Sequence, residues 1–456
     1  MSKRTVVIIG AGAAGLMAAG SAAEAGARVI VLERNTRVGR KLRICGKGRA
    51  NVTNIADVAE FVTAFGPNGR FLYGAFSRFF RDDLIALLES LGVPCKVERG
   101  GRVFPQSDDA DHVADALERR ARSLGAVFRM GARARRLALR EGRIAGVELE
   151  DGEVIPADSV ILATGGITYP ATGSTGDGYQ MAAEAGHTVV KPRHALTAMN
   201  CAEKWVLEVA GLSLRNVQAT VFAPEHQGQK PVGREFGEMC FTHRGVSGPI
   251  ILTLSRRVVD LVGRTPLTLS IDLKPALTRE QLEARLQREM AGSNRHLRNY
   301  LPTLLPRSLA RAFPGILGLD EHVPLNRVTR EQRQAIIEGL KALRLSVVKL
   351  APPEEAIVTA GGVAIGEVDP RTMQSRIIQG LYLAGEVLDI DGTTGGYNLQ
   401  AAFSTGWVAG RSAAQGAPFV PLQNRGEQKK EKAAASPAAA RQLRESRSTV
   451  EIPSGQ

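Results

Sequence analysis

The 456-residue chain has little cysteine, few aromatic residues and no long apolar run. Its four cysteines, Cys45, Cys95, Cys201 and Cys240, stand far apart without a C-x-x-C pair. That argues against a disulfide framework, a zinc knuckle or a redox dithiol and fits a reducing compartment. No segment approaches the roughly 18 uninterrupted apolar residues that span a bilayer. The stretch from Val6 to Ala27 follows Lys3 and Arg4 as a leader peptide would. Glycines break it at a meaningful spacing, however, Glu24 lies inside it and RVIVLE follows, so it reads as strand, turn and helix. The expected location is the cytoplasm. No G-x-S-x-G elbow follows a strand, which removes support for serine-hydrolase chemistry. The Asp-rich turn at Asp389 and Asp391 reads as helix capping, and no metal site is expected.

What the chain does have is positive charge, +13 in total. Residues 196–345 carry 21 basic and 14 acidic side chains, a surplus of +7, and residues 416–456 carry 7 and 4, a surplus of +3. A cationic segment of this kind is the footprint of a polyanionic partner. Arginine outnumbers lysine by 46 to 13, a bias that GC-rich codon usage also produces, so the charge alone leaves both explanations open.

Residues 1–195 alternate short apolar strands (TVVIIG, ARVIVLE, SVILATGG) with helical patterns such as FRDDLIALLESLG, which predicts a wound α/β domain. Residues 196–345 read differently. Strand-like runs come first, NVQATVFA, PIILTLS and LTLSIDL, followed by helical patterns that open on Thr278 and Thr329 as caps. Residues 346–415 return to the α/β pattern. The predicted fold class is therefore α/β, a discontinuous Rossmann-like domain interrupted by a mixed β-barrel-like and helical insertion. Residues 416–456, rich in Lys, Glu, Ala, Ser and Pro, are expected to form a disordered basic tail.

The first strand ends in GAGAAG. In that pattern Gly10 allows the tight turn, Gly12 lets backbone approach a pyrophosphate and Gly15 lets helix and strand pack closely. Amides of the helix N-terminus then hold the phosphates. Glu33 ends the next strand, where a carboxylate accepts both ribose hydroxyls. SVILATGG runs a further strand into Thr164, Gly165 and Gly166, beside the same dinucleotide. This stretch resembles the second dinucleotide signature of two-dinucleotide-type flavoproteins. In those folds a last strand ends in a glycine and an acid at the ribityl chain, and a helix N-terminus faces the flavin pyrimidine. Gly385 and Glu386 fit the strand end, and Gly395, Gly396, Tyr397 and Asn398 fit the helix start.

Five segments carry a more specific resemblance: GRKLRICGKGRANVTN (39–54), TGGITYPATGSTGDGY (164–179), GEMCFTHRGVSGP (237–249), VTAGGVAIGEVDPRTMQS (358–375) and GLYLAGEVLDIDGTTGGYNLQAAFSTG (380–406). Together, and in order, they resemble the BaiN/RdsA-like family of FAD flavoproteins over about residues 5–414. The resemblance implies that Gly10, Ala14, Glu33, Arg34, Lys41, Asn51, Thr53, Thr164, Gly165, Glu386, Asn398 and Leu399 line FAD, beneath the insertion. No second clear G-x-G-x-x-G is present for a resident nicotinamide, so either NADH or NADPH binds transiently over the flavin or another reductant serves. The activity implied is reduction of an activated C=C bond, with uridine of ribosomal RNA or its precursor as the favoured substrate. A small-molecule flavoenzyme, an unsaturated 3-oxo steroid reductase or an amine oxidase, is the alternative, and a flavin-holding RNA-binding or assembly factor without turnover is the reading of another class.

The family's usual Arg-Cys-Asn stands here as Arg49-Ala50-Asn51; if the usual cysteine is the family's proton donor, this chain must use another group. Cys240 is a possible replacement, or an inert buried thiol. His243 is a proton donor or a turn residue, and Tyr169 and Tyr397 either donate near the flavin or pack as aromatic edges.

Overall fold

Val6, Val7, Ile8 and Ile9 are all buried, the pattern of a strand covered on both faces in a parallel sheet. In the computed structural model, which describes residues 3–224 and 230–422, this strand is the centre of a five-stranded sheet. The order across the sheet is Leu381–Leu383, Ser159–Leu162, Thr5–Ile9, Arg28–Glu33 and Val127–Met130, every neighbour parallel. A strand from near the end of the chain thus joins the same sheet as the first, with Ser159–Leu162 between them. The tail expected from 416 lies, from residue 423 on, outside the described residues.

Helix Ala13–Glu24 is almost wholly buried and packs against helix Tyr397–Gln415. Small residues make that contact possible. A Cβ on Gly406 would overlap the Ala14 carbonyl, and one on Gly410 would overlap the Ser21 hydroxyl. The two helices that begin at the two glycine-rich turns are therefore locked side by side, and their N-termini open on the same side of the sheet.

The chain leaves this domain along Val189–Ala195 and re-enters along Val358–Val363, which pair antiparallel as a two-stranded ribbon. Between them six strands close a barrel in the order Met199–Cys201, Gly245–Ser247, Gly233–Thr242, Ser213–Phe222, Leu267–Asp272 and Leu343–Leu350. The last of these strands crosses residue 345. Helices Arg279–Met290, Arg307–Leu317 and Arg330–Lys341 share one apolar core with the barrel. Thr278 with Gln281, and Thr329 with Gln332, form reciprocal capping boxes at two of these helices. One expected strand is a helix instead: PIILTLS lies in helix Pro249–Val258. Gly248 at φ +97° ends the preceding strand, Pro249 starts the helix, and Ile250, Ile251, Leu254 and Val258 bury one helical face. In so short an apolar run period 2 and period 3.6 are hard to tell apart.

Candidate functional site

The glycine turn after the first strand forms a cradle whose three glycines differ in what surrounds them. A Cβ on Gly10, whose φ is +100°, would stand 2.6 Å from the Ala163 carbonyl oxygen, and one on Gly15 would overlap the Gly10 carbonyl. Those two positions are closed by the protein itself. A Cβ on Gly12 would meet nothing within 4 Å, because Gly12 faces a cavity of about 320 Å³. Helix Ala13–Glu24, capped by the Gly12 backbone, has no side-chain cap, so its first-turn amides face the cavity without a side-chain acceptor.

Glu33 is buried at the end of its strand and already oriented. Its Oε2 accepts the Ala11 N–H at 2.9 Å, and its Oε1 accepts the Asn35 backbone and side-chain N–H groups at 2.9 and 2.7 Å. The Thr164 hydroxyl lines the same cavity and is buried with no hydrogen-bond partner among the described residues.

The opposite wall comes from the far end of the chain. Lys41 Nζ donates to Glu386 Oε2 at 2.6 Å and to Thr168 Oγ1 at 2.7 Å. Glu386 Oε1 in turn accepts the Thr359 N–H at 2.7 Å. Asn51 Oδ1 accepts the Gly396 N–H at 3.0 Å while its amide donates to the Thr53 carbonyl at 3.0 Å, which ties the Asn51 loop to the N-terminus of helix Tyr397–Gln415. Asn398 closes the preceding turn through the Gly392 N–H and carbonyl, at 2.7 and 2.9 Å.

All of the expected cofactor residues line this cavity except Gly15, Thr53 and Tyr397. Gly15 lies behind the cradle, and Thr53 holds Asn51. Tyr397 packs edge-on against Phe61, with ring centroids 4.7 Å apart, and burial raises its phenol above the usual range. Two further candidates sit on the barrel, with Cys240 near enough to Lys47 to feel its ammonium. Cys240 and His243 do not line the cavity, and His243 is exposed on the turn between two barrel strands. Asp391 pairs with Arg256 of helix Pro249–Val258, and Asp389 Oδ2 accepts from Asn68 at 3.0 Å.

The residue missed by reading the sequence is Cys45, which lines the cavity. It ends the first part of helix Arg40–Gly48, which breaks there: Gly46 and Lys47 both have φ near +60°. Burial pushes its thiol up to about 11 despite the nearby Lys41 ammonium. Cys45 stands one turn beyond Lys41, the only local signal that both share a wall. Tyr169 is also raised by burial, with the Cys45 sulfur beside it.

A parallel sheet whose first strand feeds a glycine cradle, completed by a second cradle from the chain's end, defines a Rossmann dinucleotide-binding protein. An open Gly12, an unpartnered Thr164 hydroxyl and a pre-oriented Glu33 fit FAD. The family model described as HI0933-like protein Rossmann domain matches residues 4–412. The chain is 32% identical to a 3-dehydro-bile acid delta(4,6)-reductase of Clostridium scindens, over 90% of this chain and 98% of that one. It is 31% identical to a ribosomal RNA dihydrouridine synthase of Escherichia coli (90% and 97% covered) and 28% identical to that of Haemophilus influenzae (89% and 97%). The chain belongs to the HI0933-like family and is an FAD-dependent oxidoreductase. Among the described residues no helix is long and apolar enough to cross a membrane.

Proposed function

We propose that this protein reduces an activated C=C bond at the expense of NADH or NADPH, and that its substrate is uridine in ribosomal RNA, converted to dihydrouridine. The observation that carries the choice of RNA is the location of the charge: a surplus of +7 falls within residues 196–345, the barrel and its helices. Two relatives that bear the name ribosomal RNA dihydrouridine synthase support it. In balance, one carbon gains a hydride, its neighbour gains a proton, and NAD(P)H is oxidised to NAD(P)⁺. Bound FAD supplies the hydride-carrying chemistry.

The chain's own residues do the rest. Gly10, Gly12, Ala14, Glu33, Arg34, Thr164 and Gly165 hold one half of the dinucleotide. Lys41, Asn51, Gly385, Glu386, Gly396, Asn398 and Leu399 hold the other half. Cys45 is the proton donor: it lines the cavity, and a thiol shifted upward keeps its proton at neutral pH.

A second reading has its own support. The cavity wall includes Phe65, Leu196, Ile357 and Val358, an apolar lining suited to a small unsaturated ketone, and the bile-acid reductase is as similar as the RNA enzymes. The deciding experiment measures dihydrouridine in ribosomal RNA by mass spectrometry, from cells with and without the gene. Deficient RNA is then incubated with the purified protein and NAD(P)H. Loss and enzymatic restoration of the modification establish the RNA reading; unchanged dihydrouridine with turnover of an unsaturated 3-oxo steroid establishes the second.

A further inference from the structure

Barrel strand Gly233–Thr242 turns Met239 and Phe241 into the core, which leaves Arg234, Phe236, Glu238 and Cys240 on its outer face. Phe236 is 60% exposed, opposite Gln218 of strand Ser213–Phe222. An aromatic ring on an outer barrel face contributes nothing to that core, and its surroundings are polar and cationic. The register of strand Ser213–Phe222 shifts between Leu214 and Val217, and Asn216 there has φ +56°. This bulge re-aims Arg215 and Asn216 beside Glu238.

Arg99, from the other domain, reaches the same spot. It donates to Glu238 at 2.8 Å and to Asn216 Oδ1 at 3.5 Å. Arg99 and Arg215, with 65% and 74% of their side chains exposed, share that one carboxylate. On the outer face of this strand Phe236 lies between Arg234 and Glu238, the carboxylate that Arg99 and Arg215 share, so three arginines and one glutamate gather along it, a local surplus of positive charge. This face is also joined to the cavity. Asn54 Nδ2 bridges the carbonyl of Gly100, next to Arg99, and the carbonyl of Gly395 in the cavity wall, at 3.0 and 2.9 Å.

We infer that this face is the docking surface for a single-stranded RNA segment: one base stacks on Phe236, and Arg99 and Arg215 take the adjoining phosphates. The inference rests on the RNA reading given above. A π-face that accepts any base, together with cations that track the backbone, is the chemistry of single-strand binding. Phe236 and Glu238 are about 7 Å apart along the strand, so the stacked base and its phosphates fit side by side. A neighbouring nucleotide held in this way is positioned to swing its base toward the Gly395 wall, as reaction on a buried base requires.

The test is fluorescence anisotropy with a labelled single-stranded oligouridylate and the FAD-loaded full chain, between about 50 and 200 mM salt. Phe236→Ala is expected to weaken binding about tenfold, and Phe236→Trp to restore it. The Arg99→Ala/Arg215→Ala double variant is expected to flatten the salt dependence by a log–log slope of about two. FAD content and melting temperature of each variant check that the fold is intact. Wild-type protein that binds no RNA at low salt defeats the RNA reading itself. Wild-type binding that Phe236→Ala leaves unchanged, or that Phe236→Trp fails to restore, overturns this surface and leaves the RNA reading standing.

Discussion

Replacing Gly12 by valine separates a glycine kept for a ligand from one kept for the fold. Gly12 has φ −79° and ψ −169°, extended backbone that any residue adopts, and an added Cβ meets no atom within 4 Å. The protein without FAD therefore accommodates valine. Its one cost is a weaker N-cap for helix Ala13–Glu24, at most about 1 kcal/mol, or a loss of no more than about 4 °C in Tm. FAD binding is another matter, because the isopropyl group occupies the space that a pyrophosphate needs to reach the helix amides. Losing two charge-assisted hydrogen bonds of about 1.5–3 kcal/mol each amounts to about 3–6 kcal/mol, a weakening of roughly 10²- to 10⁴-fold at 1.4 kcal/mol per factor of ten. Flavin fluorescence titration of the stripped protein gives the Kd, and thermal melting of the same sample gives the stability. Gly15→Ala is the control, because its Cβ collides with the Gly10 carbonyl and should destabilise the stripped protein directly. Stoichiometric FAD retained by Gly12→Val after dialysis would refute the cradle argument.

Three further outcomes are expected. Glu33→Ala weakens FAD binding and also strands the buried Ala11 N–H, a stability cost of about 1–3 kcal/mol. Glu33→Gln is little better, because its NH₂ must face either Ala11 or Asn35, both donors; full flavin occupancy in both variants would count against the assignment. Cys45→Ala lowers kcat by about 10²- to 10⁴-fold while FAD content holds, and an unchanged kcat removes Cys45 as the proton donor. His187 has a fully buried side chain between Glu367 at 3.0 Å and Ser375 at 2.8 Å, and burial lowers its pKa against the opposing pull of Glu367. Since the unfolded chain takes up this proton first, the contribution of a neutral His187 is complete above about pH 6.5 and is lost as pH falls below it, by up to about 1.4 kcal/mol per pH unit. Melting curves from pH 7.5 to 5 should show a smaller slope in His187→Gln, and equal slopes would contradict the argument.

The parts of this protein legible from the sequence are those whose physics is local. GAGAAG after a strand, with Glu33 ending the next strand, is complete within 24 residues, and the structure holds the Glu33 carboxylate beside the cradle through the Ala11 N–H. Thr278 and Thr329 cap their helices with their own hydroxyls, each accepting the backbone N–H three residues on. The segments 39–54, 164–179 and 380–406 carried enough pattern to mark most of the cavity wall, through resemblance to known flavoproteins. What tertiary structure alone decided are contacts between distant residues. The Lys41–Glu386 pair joins positions 345 apart, and the Asn54–Gly395 bond joins positions 341 apart. No periodicity announces such a meeting. Cys45, Cys240 and His243 have comparable chemistry on paper; a helix that breaks at Gly46 places Cys45 in the cavity wall, while Cys240 and His243, on the barrel, are not among the lining residues. PIILTLS became a helix because one face of it found a core, which an isolated run of seven residues cannot foretell.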